Sequence, residues 1–408
     1  MSRSLYVSYD GMGDHLGQSQ VIPYLEGLAE RGRNIRLVSF EKPESHPTRP
    51  PSSHPGIRWT PMRYHARPRA PATAYDLARG AAAVAGFGLR DRPTLVHTRS
   101  YVAAAMALPW CRASNTPLLF DMRGMWADER VEDGSWPAGG GIDRAVRRLE
   151  GRLLADAAAV TVLTNAMAQH IASRRRRPGA PLVVIPTCTD LDHFRADVAP
   201  DPELAAELAG ASTLVYLGAL GGRNLIHEMG RFYLAWRDVA PNPRLLVLSG
   251  HSVAPLRAVL ANAGAEDEFI HRSVPRERVP GAVRCGQAGM FFYRGTRGTL
   301  GVAPTKLGEM LGLGLPMAGN PVGDVSDVLT EDIGVTIDTF SDADLHVAAA
   351  RLFALSKDVD TAAKARAQAE LWFSLERGIE AYADLYDRLE RGLPGRGEPF
   401  GVWPRTET

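Results

Sequence analysis

A short stretch of the chain, from Pro304 to Pro316, combines residue types that could bind an anionic ligand. It follows an apolar run at residues 289–293 and a glycine-rich turn, and the pattern predicts a helix from about Thr305. The start of a helix offers unpaired N–H groups and a positive dipole end, which favour phosphate. Lys306 adds a positive charge there, and Glu309, one turn along, could accept hydrogen bonds from hydroxyl groups. A nucleotide sugar carries both kinds of group.

The same stretch also has a purely structural explanation. In that explanation Pro304 precedes the first turn of an ordinary helix, and Gly312 and Gly314 end it. Lys306 and Glu309 would then be solvated side chains. The residues of this stretch taken by themselves do not distinguish the two explanations.

Two other glycine-rich turns follow predicted strands, and the second is a candidate phosphate site. The first, at residues 10–17, has the residues of a flexible turn. Its glycine spacing is not that of a dinucleotide-binding fingerprint, so no NAD site is predicted. The second turn begins at Gly218 and ends near Arg223, whose forked guanidinium matches diphosphate oxygens. A cation at a helix start opposes the helix dipole, which disfavours the alternative of a simple surface arginine.

Charged and imidazole groups lie where two successive strands of the amino-terminal half are predicted to end. His97 and Arg99 are at the first end, and Asp121 and Arg123 are at the second. Because the carboxyl ends of parallel strands meet at one edge of a sheet, both ends should face the same crevice. These groups could cap the following helices, or they could contact sugar hydroxyls and the reacting centre. The second interpretation is preferred for Asp121 and Arg123 and is left open for His97.

The elements that must position these residues alternate along the whole chain. Apolar runs of strand length alternate with stretches of helical periodicity, which is typical of an α/β fold with parallel sheets. A chain of 408 residues is too long for one ordinary core and suits two domains. Residues 41–71, apart from a strand-like piece at residues 57–62, and residues 128–141 carry many helix and strand breakers and are predicted to be surface loops.

The composition restricts the partners and the compartment. Lysine plus arginine number 47 and aspartate plus glutamate 46, so the net charge of +1 gives no global attraction to nucleic acid or membrane. The run Arg174, Arg175, Arg176 and Arg177 is a local exception. It is interpreted first as a solvated loop and second as a contact with anionic lipid or a phosphorylated acceptor.

The three cysteines have neither disulfide nor metal-site spacing, and no signal peptide or membrane span is found in the sequence. These features predict a cytoplasmic protein that is at most peripheral to the membrane.

The stretch from Pro304 to Pro316 resembles the donor-binding segment of retaining glycosyltransferases of the family 4 type, which have the two-domain GT-B fold. The residues that match the family run P-T-K-x-x-E-x-L-x-x-G-x-P are Pro304, Thr305, Lys306, Glu309, Leu311, Gly314 and Pro316. Residues 10–20 are similar to an amino-terminal loop of that family, which faces donor phosphate and acceptor. Residues 186–194 resemble its interdomain crossing, with Cys188 at a usual glycine position, where a packing role is expected.

The resemblance implies a GT-B architecture of two facing Rossmann-like domains. The acceptor-side domain would span residues 1–190 and the donor domain residues 191–370. A helix at residues 371–390 would return to the first domain, and the tail at 391–408 is expected to be mobile. The implied reaction moves a sugar from a nucleotide-diphosphate sugar, with UDP favoured, to a hydroxyl of a glycan, a lipid-linked glycan or a small molecule. Retention, no metal and no cofactor other than the donor substrate are expected.

Roles for individual residues follow from the same resemblance. Glu309 would hold the ribose, and Lys306 and Arg223 would neutralise the leaving diphosphate. The complete set of implied donor-binding residues is Gly13, Gly17, Gly218, Arg223, Thr305, Lys306, Leu307 and Glu309. His97 and Arg99 would contact the acceptor. The catalytic candidates are Asp121, Arg123 and His15, and His15 or Asp121 would be the general base if the reaction inverts.

The sequence departs from the family pattern at two places. Gly301 occupies the position of the first glutamate of the usual E-x₇-E pair, and Asp121-x-Arg123 replaces a histidine found in many relatives. The first departure suggests an altered donor sugar, a backbone contact at Gly301 and Val302 in place of the glutamate, or lost activity. Activity is expected, because relatives with the P-T-K variant also lack this glutamate. Two alternatives are a sugar-nucleotide epimerase and a non-catalytic binding partner of an active transferase. The sequence does not identify the base, the sugar or the acceptor.

Overall fold

A computed structural model describes residues 3–43, 49–174, 179–393 and 403–404. The chain forms two compact units. Unit 1 comprises Met1–Thr187 and Leu375–Thr408, and unit 2 comprises Cys188–Ser374. The divisions therefore lie at Thr187 and Ser374, where the sequence analysis placed boundaries after residues 190 and 370.

Unit 1 contains a parallel sheet in which seven strands are described, in the order β3-β2-β1-β4-β5-β6-β7. The strands are β1 Arg3–Ser8, β2 Asn34–Glu41, β3 Ile57–Arg63, β4 Leu95–Arg99, β5 Leu118–Met122, β6 Ala159–Val162 and β7 Leu182–Val184. The helices of this unit are α1 His15–Gln20, α2 Ile22–Glu30, α3 Arg69–Asp91, α4 Ser100–Ser114, α5 Trp126–Glu132, α6 Gly141–Asp156, α7 Asn165–Arg174 and, from the end of the chain, α16 Leu375–Glu390.

Unit 2 contains a second parallel sheet, with six described strands in the order β10-β9-β8-β11-β12-β13. The strands are β8 Ser212–Leu217, β9 Pro243–Leu248, β10 Phe269–Arg272, β11 Ala288–Met290, β12 Met317–Gly319 and β13 Gly334–Thr336. The helices are α8 Pro202–Glu207, α9 Ile226–Val239, α10 Ala254–Asn262, α11 Val279–Val283, α12 Thr305–Gly312, α13 Val325–Val328, α14 Asp342–Leu355 and α15 Thr361–Phe373, with 3₁₀ turns at Glu266–Glu268, Arg276–Arg278 and Arg297–Gly301.

The central strands of both sheets are buried on both faces, whereas edge strands such as β3 and β10 are partly exposed. Every residue of β4, β5 and β6 is buried, and β8 is buried except at its last residue. Such continuous burial is what parallel sheets covered by helices require. The strand order reverses between β1 and β4 in unit 1 and between β8 and β11 in unit 2, and these switch points create crevices at the carboxyl ends of the strands. The predicted α/β class with two parallel sheets is confirmed.

Some elements differ from their predictions. The final helix, predicted as one, is two, because Ser374 between α15 and α16 adopts an extended conformation. The predicted loop at residues 128–141 begins inside α5. Ser341 caps α14, since its hydroxyl accepts a hydrogen bond from the Asp344 amide at the start of the helix.

The end of the chain is partly held in place. Trp403 is buried, and its amide donates to Asn165 Oδ1 at 3.0 Å while Asn165 Nδ2 donates to the Trp403 carbonyl at 2.6 Å. The expectation of a mobile tail is therefore wrong for this residue, because a bidentate contact anchors its backbone to the start of α7. Residues 394–402 and 405–408 of that expectation lie outside the described part of the chain. In the described ranges, no helix has the length and apolar character needed to cross a membrane.

Candidate functional site

The carboxyl ends of β8 and β11 in unit 2 bring together several of the predicted donor-binding residues. Gly218 follows β8 directly with a φ of 117°, a conformation that residues with a side chain rarely adopt. A Cβ atom at Gly218 would lie 3.2 Å from the ammonium nitrogen of Lys306, the second residue of α12. The absence of a side chain at Gly218 thus leaves room for the lysine at the switch point.

Lys306 is a cation without an anionic partner. Its Nζ lies 4.1 Å from the centre of the Tyr216 ring and 5.8 Å from that of Tyr293. Among the described residues, no hydrogen bond or ion pair satisfies this ammonium group. Burial lowers the pKa of Lys306 to about 7, and the nearby charge of Glu309 opposes the shift. A partly desolvated cation of this kind would be stabilised by an anionic ligand.

The Glu309 carboxylate has no hydrogen-bond donor among the described residues. Glu309 lies one turn along α12 and is only 8% exposed. Burial raises the pKa of Glu309 to about 7, against the effects of Arg276 and Lys306. A ligand that presents hydroxyl groups would supply the missing hydrogen bonds.

Arg276 is a site residue that the sequence analysis missed. It lies in the 3₁₀ turn Arg276–Arg278, which follows β10, and its charge acts on Glu309 more strongly than that of Lys306 does. No hydrogen bond or ion pair is found for its guanidinium within the part of the chain that the structure describes. The two residues are far apart in the sequence, so no local motif could have connected them.

The start of α12 offers one open backbone donor. No side chain caps this helix at Pro304, and the amide of Lys306 has no acceptor within the described ranges. The amide of Leu307 instead donates to the Pro304 carbonyl at 2.9 Å. The hydrogen of the Leu307 amide is therefore already used within the chain, and the donor-binding roles of Leu307 and of Thr305, which lies at the predicted helix start, stay predictions.

Arg223 lies at the end of the glycine-rich turn after β8. Its Nη1 donates to the Gly298 carbonyl at 3.4 Å, in the turn Arg297–Gly301. Burial raises the pKa of Tyr293 to about 12, and the charge of Arg223 opposes that shift. Arg223 is therefore near Tyr293, whose ring also faces the Lys306 ammonium. Arg223 is thus brought to the same cluster as Lys306, beside the turn that contains Gly301.

Asp121 forms the centre of a different cluster in unit 1. It lies within β5, one residue before its end, and is 2% exposed. Its Oδ1 accepts a hydrogen bond from the Thr161 hydroxyl at 3.0 Å. The nearest guanidinium nitrogens of Arg99 and Arg123 lie 3.8 and 3.7 Å from its oxygens. The carboxylate of Asp121 is thus enclosed by a hydroxyl and two guanidinium groups of its own unit.

The two arginines of this cluster have further internal partners. Arg99 pairs with Asp10 at 3.2 Å and donates to Gln20 Oε1 at 2.9 Å. Arg123 donates to the same oxygen at 3.2 Å and to the Thr187 hydroxyl at 2.9 Å. The structure thus brings together the predicted residues at the carboxyl ends of β4 and β5. Their charges are largely satisfied within unit 1.

His97 is a buried core residue and not an exposed acceptor contact. It is 3% exposed, and its Nδ1 lies 2.7 Å from the Tyr386 hydroxyl of α16. Burial lowers the pKa of His97 to about 4, so the ring is neutral near pH 7. Its Nε2 has no hydrogen-bond partner among the described residues. His97, Asp121 and Arg123 also line a small cavity, which has room for about one water molecule.

The amino-terminal glycine loop already holds a carboxylate from its own chain. Glu41, at the end of β2, accepts hydrogen bonds from the amides of Met12 and Gly13 at 2.8 and 3.2 Å. A Cβ atom at Gly17 would lie 2.4 Å from the Gly11 carbonyl oxygen, so this glycine is required for packing inside the loop. The structure therefore does not support a phosphate role for Gly13 and Gly17. Glu41 ends β2, which is the neighbour of β1. This placement could have indicated that the loop after β1 already binds a carboxylate.

The structure describes His15 and the arginine run at residues 174–177 only in part. The side chain of His15 lies outside the described part of the structure, and its catalytic role stays a prediction. Arg174 is exposed at the end of α7 and lies 3.3 Å from His170 Nε2, while residues 175–177 are outside the described ranges. In the ranges that are described, no group of three or more His, Cys, Asp and Glu side chains could hold a metal ion.

Comparisons with known proteins agree with this architecture. A family model described as a glycosyl transferase 4-like domain matches residues 20–188. No curated protein matches the sequence.

Three solved structures are similar to this chain over nearly its whole length. Sucrose-phosphate synthase from Thermosynechococcus elongatus has a TM-score of 0.77 at 16% identity, covering 96% of this chain and 100% of that one. A glycosyltransferase from Rickettsia africae has a TM-score of 0.68 at 12% identity, covering 95% and 98%. Anabaena HepE in complex with UDP-glucose has a TM-score of 0.65 at 13% identity, covering 95% and 100%. The chain therefore has the two-domain α/β fold of the GT-B glycosyltransferases.

Proposed function

We propose that the protein is a glycosyltransferase that binds a nucleotide-diphosphate sugar in unit 2 and transfers the sugar to a hydroxyl group. A UDP-sugar is the favoured donor, and biosynthesis of a glycan or a glycosylated natural product is the favoured context. One observation carries the proposal: Lys306 and Glu309 are a cation and a carboxylate one helical turn apart, both without a hydrogen-bonding partner among the described residues.

Lys306 and Glu309 both raise the free energy of the folded protein when no ligand is bound. A desolvated charge without a partner destabilises the folded protein, and such groups concentrate at functional sites. The phosphates of a nucleotide sugar would pair with the Lys306 ammonium and with its open backbone amide. The ribose hydroxyls would donate to Glu309. One ligand class thus satisfies all three groups, and UDP is named in the description of the HepE complex with UDP-glucose.

The same residues suggest how transfer would proceed. When the bond between the sugar and the diphosphate breaks, the departing phosphate gains negative charge. Lys306 and Arg223 would stabilise that charge more strongly in the transition state than in the ground state, which lowers the barrier. We propose a front-face displacement with retention and without a metal, in which these fixed cations take the role that Mg²⁺ has elsewhere.

The inverting alternative needs a general base. Asp121 is the described candidate, but it is 2% exposed and its oxygens already contact the Thr161 hydroxyl and, at 3.8 and 3.7 Å, the guanidinium groups of Arg99 and Arg123. This geometry supports a positioning role for Asp121, which fixes the two arginines at the carboxyl edge of the unit 1 sheet.

A non-catalytic binding protein is the second candidate. Gly301 favours it, because the family's first glutamate is absent at this position, which is the last residue of the turn Arg297–Gly301. Such a protein would bind the nucleotide sugar without turnover. An epimerase would need acid and base groups near the sugar, and no described residue of the unit 2 cluster other than Glu309 offers a carboxylate there.

Turnover assays separate these candidates. Purified protein is incubated with UDP-glucose, UDP-galactose and UDP-N-acetylglucosamine, and the released UDP and any isomerised sugar are quantified. We expect slow hydrolysis of one donor without acceptor, and loss of at least tenfold of that rate in Lys306→Met. Binding without release of UDP would support the non-catalytic protein, and isomerised donor would support the epimerase.

A further inference from the structure

A second cavity lies in unit 1 at the edge where β1, β2 and β3 begin. Its volume is about 320 Å³, within the range of small-molecule sites. Arg3 opens β1, and Asn34 opens β2, and both line the cavity. Asp121 and the arginines that pair with it are near the carboxyl ends of their strands, so this cavity belongs to the opposite edge of the same sheet.

The lining of this cavity is strongly cationic. Arg3, Arg36 and Arg58 contribute three positive charges, and Asp91 is the one carboxylate among the described lining residues. Asp91 is already occupied, since it accepts hydrogen bonds from Arg36 and, at 3.1 Å, from Arg90. The cavity therefore presents more positive charge than its own carboxylate can neutralise.

One arginine forms a fixed wall of the cavity. The guanidinium of Arg36 lies over the Phe87 ring at 4.5 Å and donates to the Thr60 hydroxyl at 3.3 Å as well as to Asp91. These contacts restrict its orientation. Its stacking partner Phe87 adds an apolar surface beside the charged groups.

Two other arginines at the cavity have donors to spare among the described residues. Arg58 is exposed, and the described residues supply neither a hydrogen bond nor an ion pair to its guanidinium. The only described acceptor of the Arg3 guanidinium is neutral, the Asp91 carbonyl at 3.0 Å. The Arg58 guanidinium and the remaining N–H groups of Arg3 are thus available to a ligand at this cavity.

We propose that this cavity binds a small phosphorylated molecule, with its phosphate held by Arg3 and Arg58 and the rest of the molecule against Phe87. A phosphate dianion matches the excess of two positive charges and the bidentate geometry of guanidinium groups. The ligand is distinct from a nucleotide bound in unit 2. The proposal does not depend on the proposed transferase activity.

Calorimetric titration with glucose 6-phosphate, inorganic phosphate and glucose tests this site. The titrations use wild type, Arg58→Ala and Lys306→Met, because Lys306 in unit 2 could also bind phosphate. We expect glucose 6-phosphate to bind wild type and Lys306→Met equally, at least tenfold more weakly to Arg58→Ala, and glucose not at all. Arg148→Ala is the matched control, since Arg148 is another exposed arginine of unit 1 without a described partner.

The ligands themselves distinguish two sources of the phosphate. Tighter binding of glucose 6-phosphate than of inorganic phosphate supports a phosphorylated metabolite, and equal affinities, still dependent on Arg58, support the free ion. Unchanged affinity in Arg58→Ala, or no binding by wild type up to about 10 mM, overturns the proposal. The melting temperature of each variant without ligand verifies folding, and unchanged UDP affinity in Arg58→Ala separates this site from the one in unit 2.

Discussion

The two units both place charged side chains at the switch point of a parallel sheet, but they differ in whether those charges have partners. In unit 1, Asp121 lies between Arg99 and Arg123, and each arginine has further hydrogen bonds. In unit 2, Lys306 and Glu309 have no such partners among the described residues. Charges that satisfy one another stabilise a local structure. Charges that remain unsatisfied are available to a ligand, so the difference supports the proposed donor binding in unit 2.

This comparison makes opposite predictions for the two clusters. Removing one charge from the unit 1 cluster should destabilise the protein, because its partners then remain buried and unpaired. Removing an unpaired charge from the unit 2 cluster should stabilise the free protein and weaken ligand binding. The following substitutions test this contrast in order of decreasing effect.

Asp121→Ala should have the largest effect on stability. Loss of the carboxylate leaves Arg99 and Arg123 without their shared counter-charge, and breaking a buried ion pair costs about 3–5 kcal/mol. The measurement is the free energy of unfolding in urea. Asp133→Ala is the control, because the exposed pair of Asp133 with Arg130 should contribute less than about 1 kcal/mol. Equal effects of the two substitutions would contradict the structural role of the unit 1 cluster.

Lys306→Met should weaken UDP binding by about 1.5–3 kcal/mol, or at least tenfold, because a hydrogen-bonded charge is lost. It should also raise the stability of the free protein. The lowered pKa of Lys306 means that folding disfavours the ammonium form, so the gain is complete below about pH 7 and disappears as the pH rises towards the ordinary lysine value of 10.5. Calorimetric titration and urea unfolding measure the two effects.

Lys357→Met provides a matched control for this substitution. Lys357 also lies over an aromatic ring, at 5.1 Å from the centre of Phe353, but it is exposed and is outside the cluster. Its replacement should change neither UDP affinity nor the pH dependence of stability. A loss of affinity in both variants would mean that general surface charge, and not the site, attracts the nucleotide.

The pH dependence of binding should follow the lysine. An anionic ligand requires the protonated form of Lys306, whose pKa in the free protein is about 7, so affinity should fall above that pH by up to about tenfold per unit. Glu309→Gln removes the second titrating group and isolates this effect. In the double variant with Lys306→Arg the profile should be flat, since arginine stays charged. A steep profile in that variant would assign the titration to another group.

Tyr386→Phe should have the smallest effect. It removes the hydroxyl partner of His97 Nδ1 at 2.7 Å and should lower stability by about 1 kcal/mol. UDP affinity should be unchanged, because His97 is a neutral core residue of unit 1. A specific loss of turnover without a loss of stability would restore the acceptor-side role that the sequence suggested.

Local patterns in the sequence predicted much of the fold and the centre of the unit 2 cluster. Periodicity specified the alternating strands and helices, and the run at Lys306 and Glu309 placed both side chains on one helix face. Gly218 could be found because its place after a strand indicates a positive φ. These features depend on residues that are close together in the chain.

The partners of distant residues could not be predicted in the same way. Arg276 is close enough to act on the charge of Glu309 although it follows β10 and Glu309 follows β11, which are not neighbours in the sheet. Glu41 accepts hydrogen bonds from the amides of Met12 and Gly13 because β1 and β2 end side by side. Burial of His97 depends on α16, which comes from the other end of the chain. Whether a polar group is satisfied is therefore a property of the tertiary structure, even where its residue type suggests chemistry.

Thermal unfolding with UDP, GDP, dTDP, ADP and CMP tests the central claim most directly. A ligand at one hundred times its Kd stabilises a protein by about 2.7 kcal/mol, which is readily detected. We predict a rise in melting temperature with one diphosphate, UDP being favoured, and loss of that rise in Lys306→Met and Glu309→Gln. No rise with any nucleotide, or an equal rise in wild type and both variants, would contradict the assignment of donor binding to the unpaired charges of unit 2.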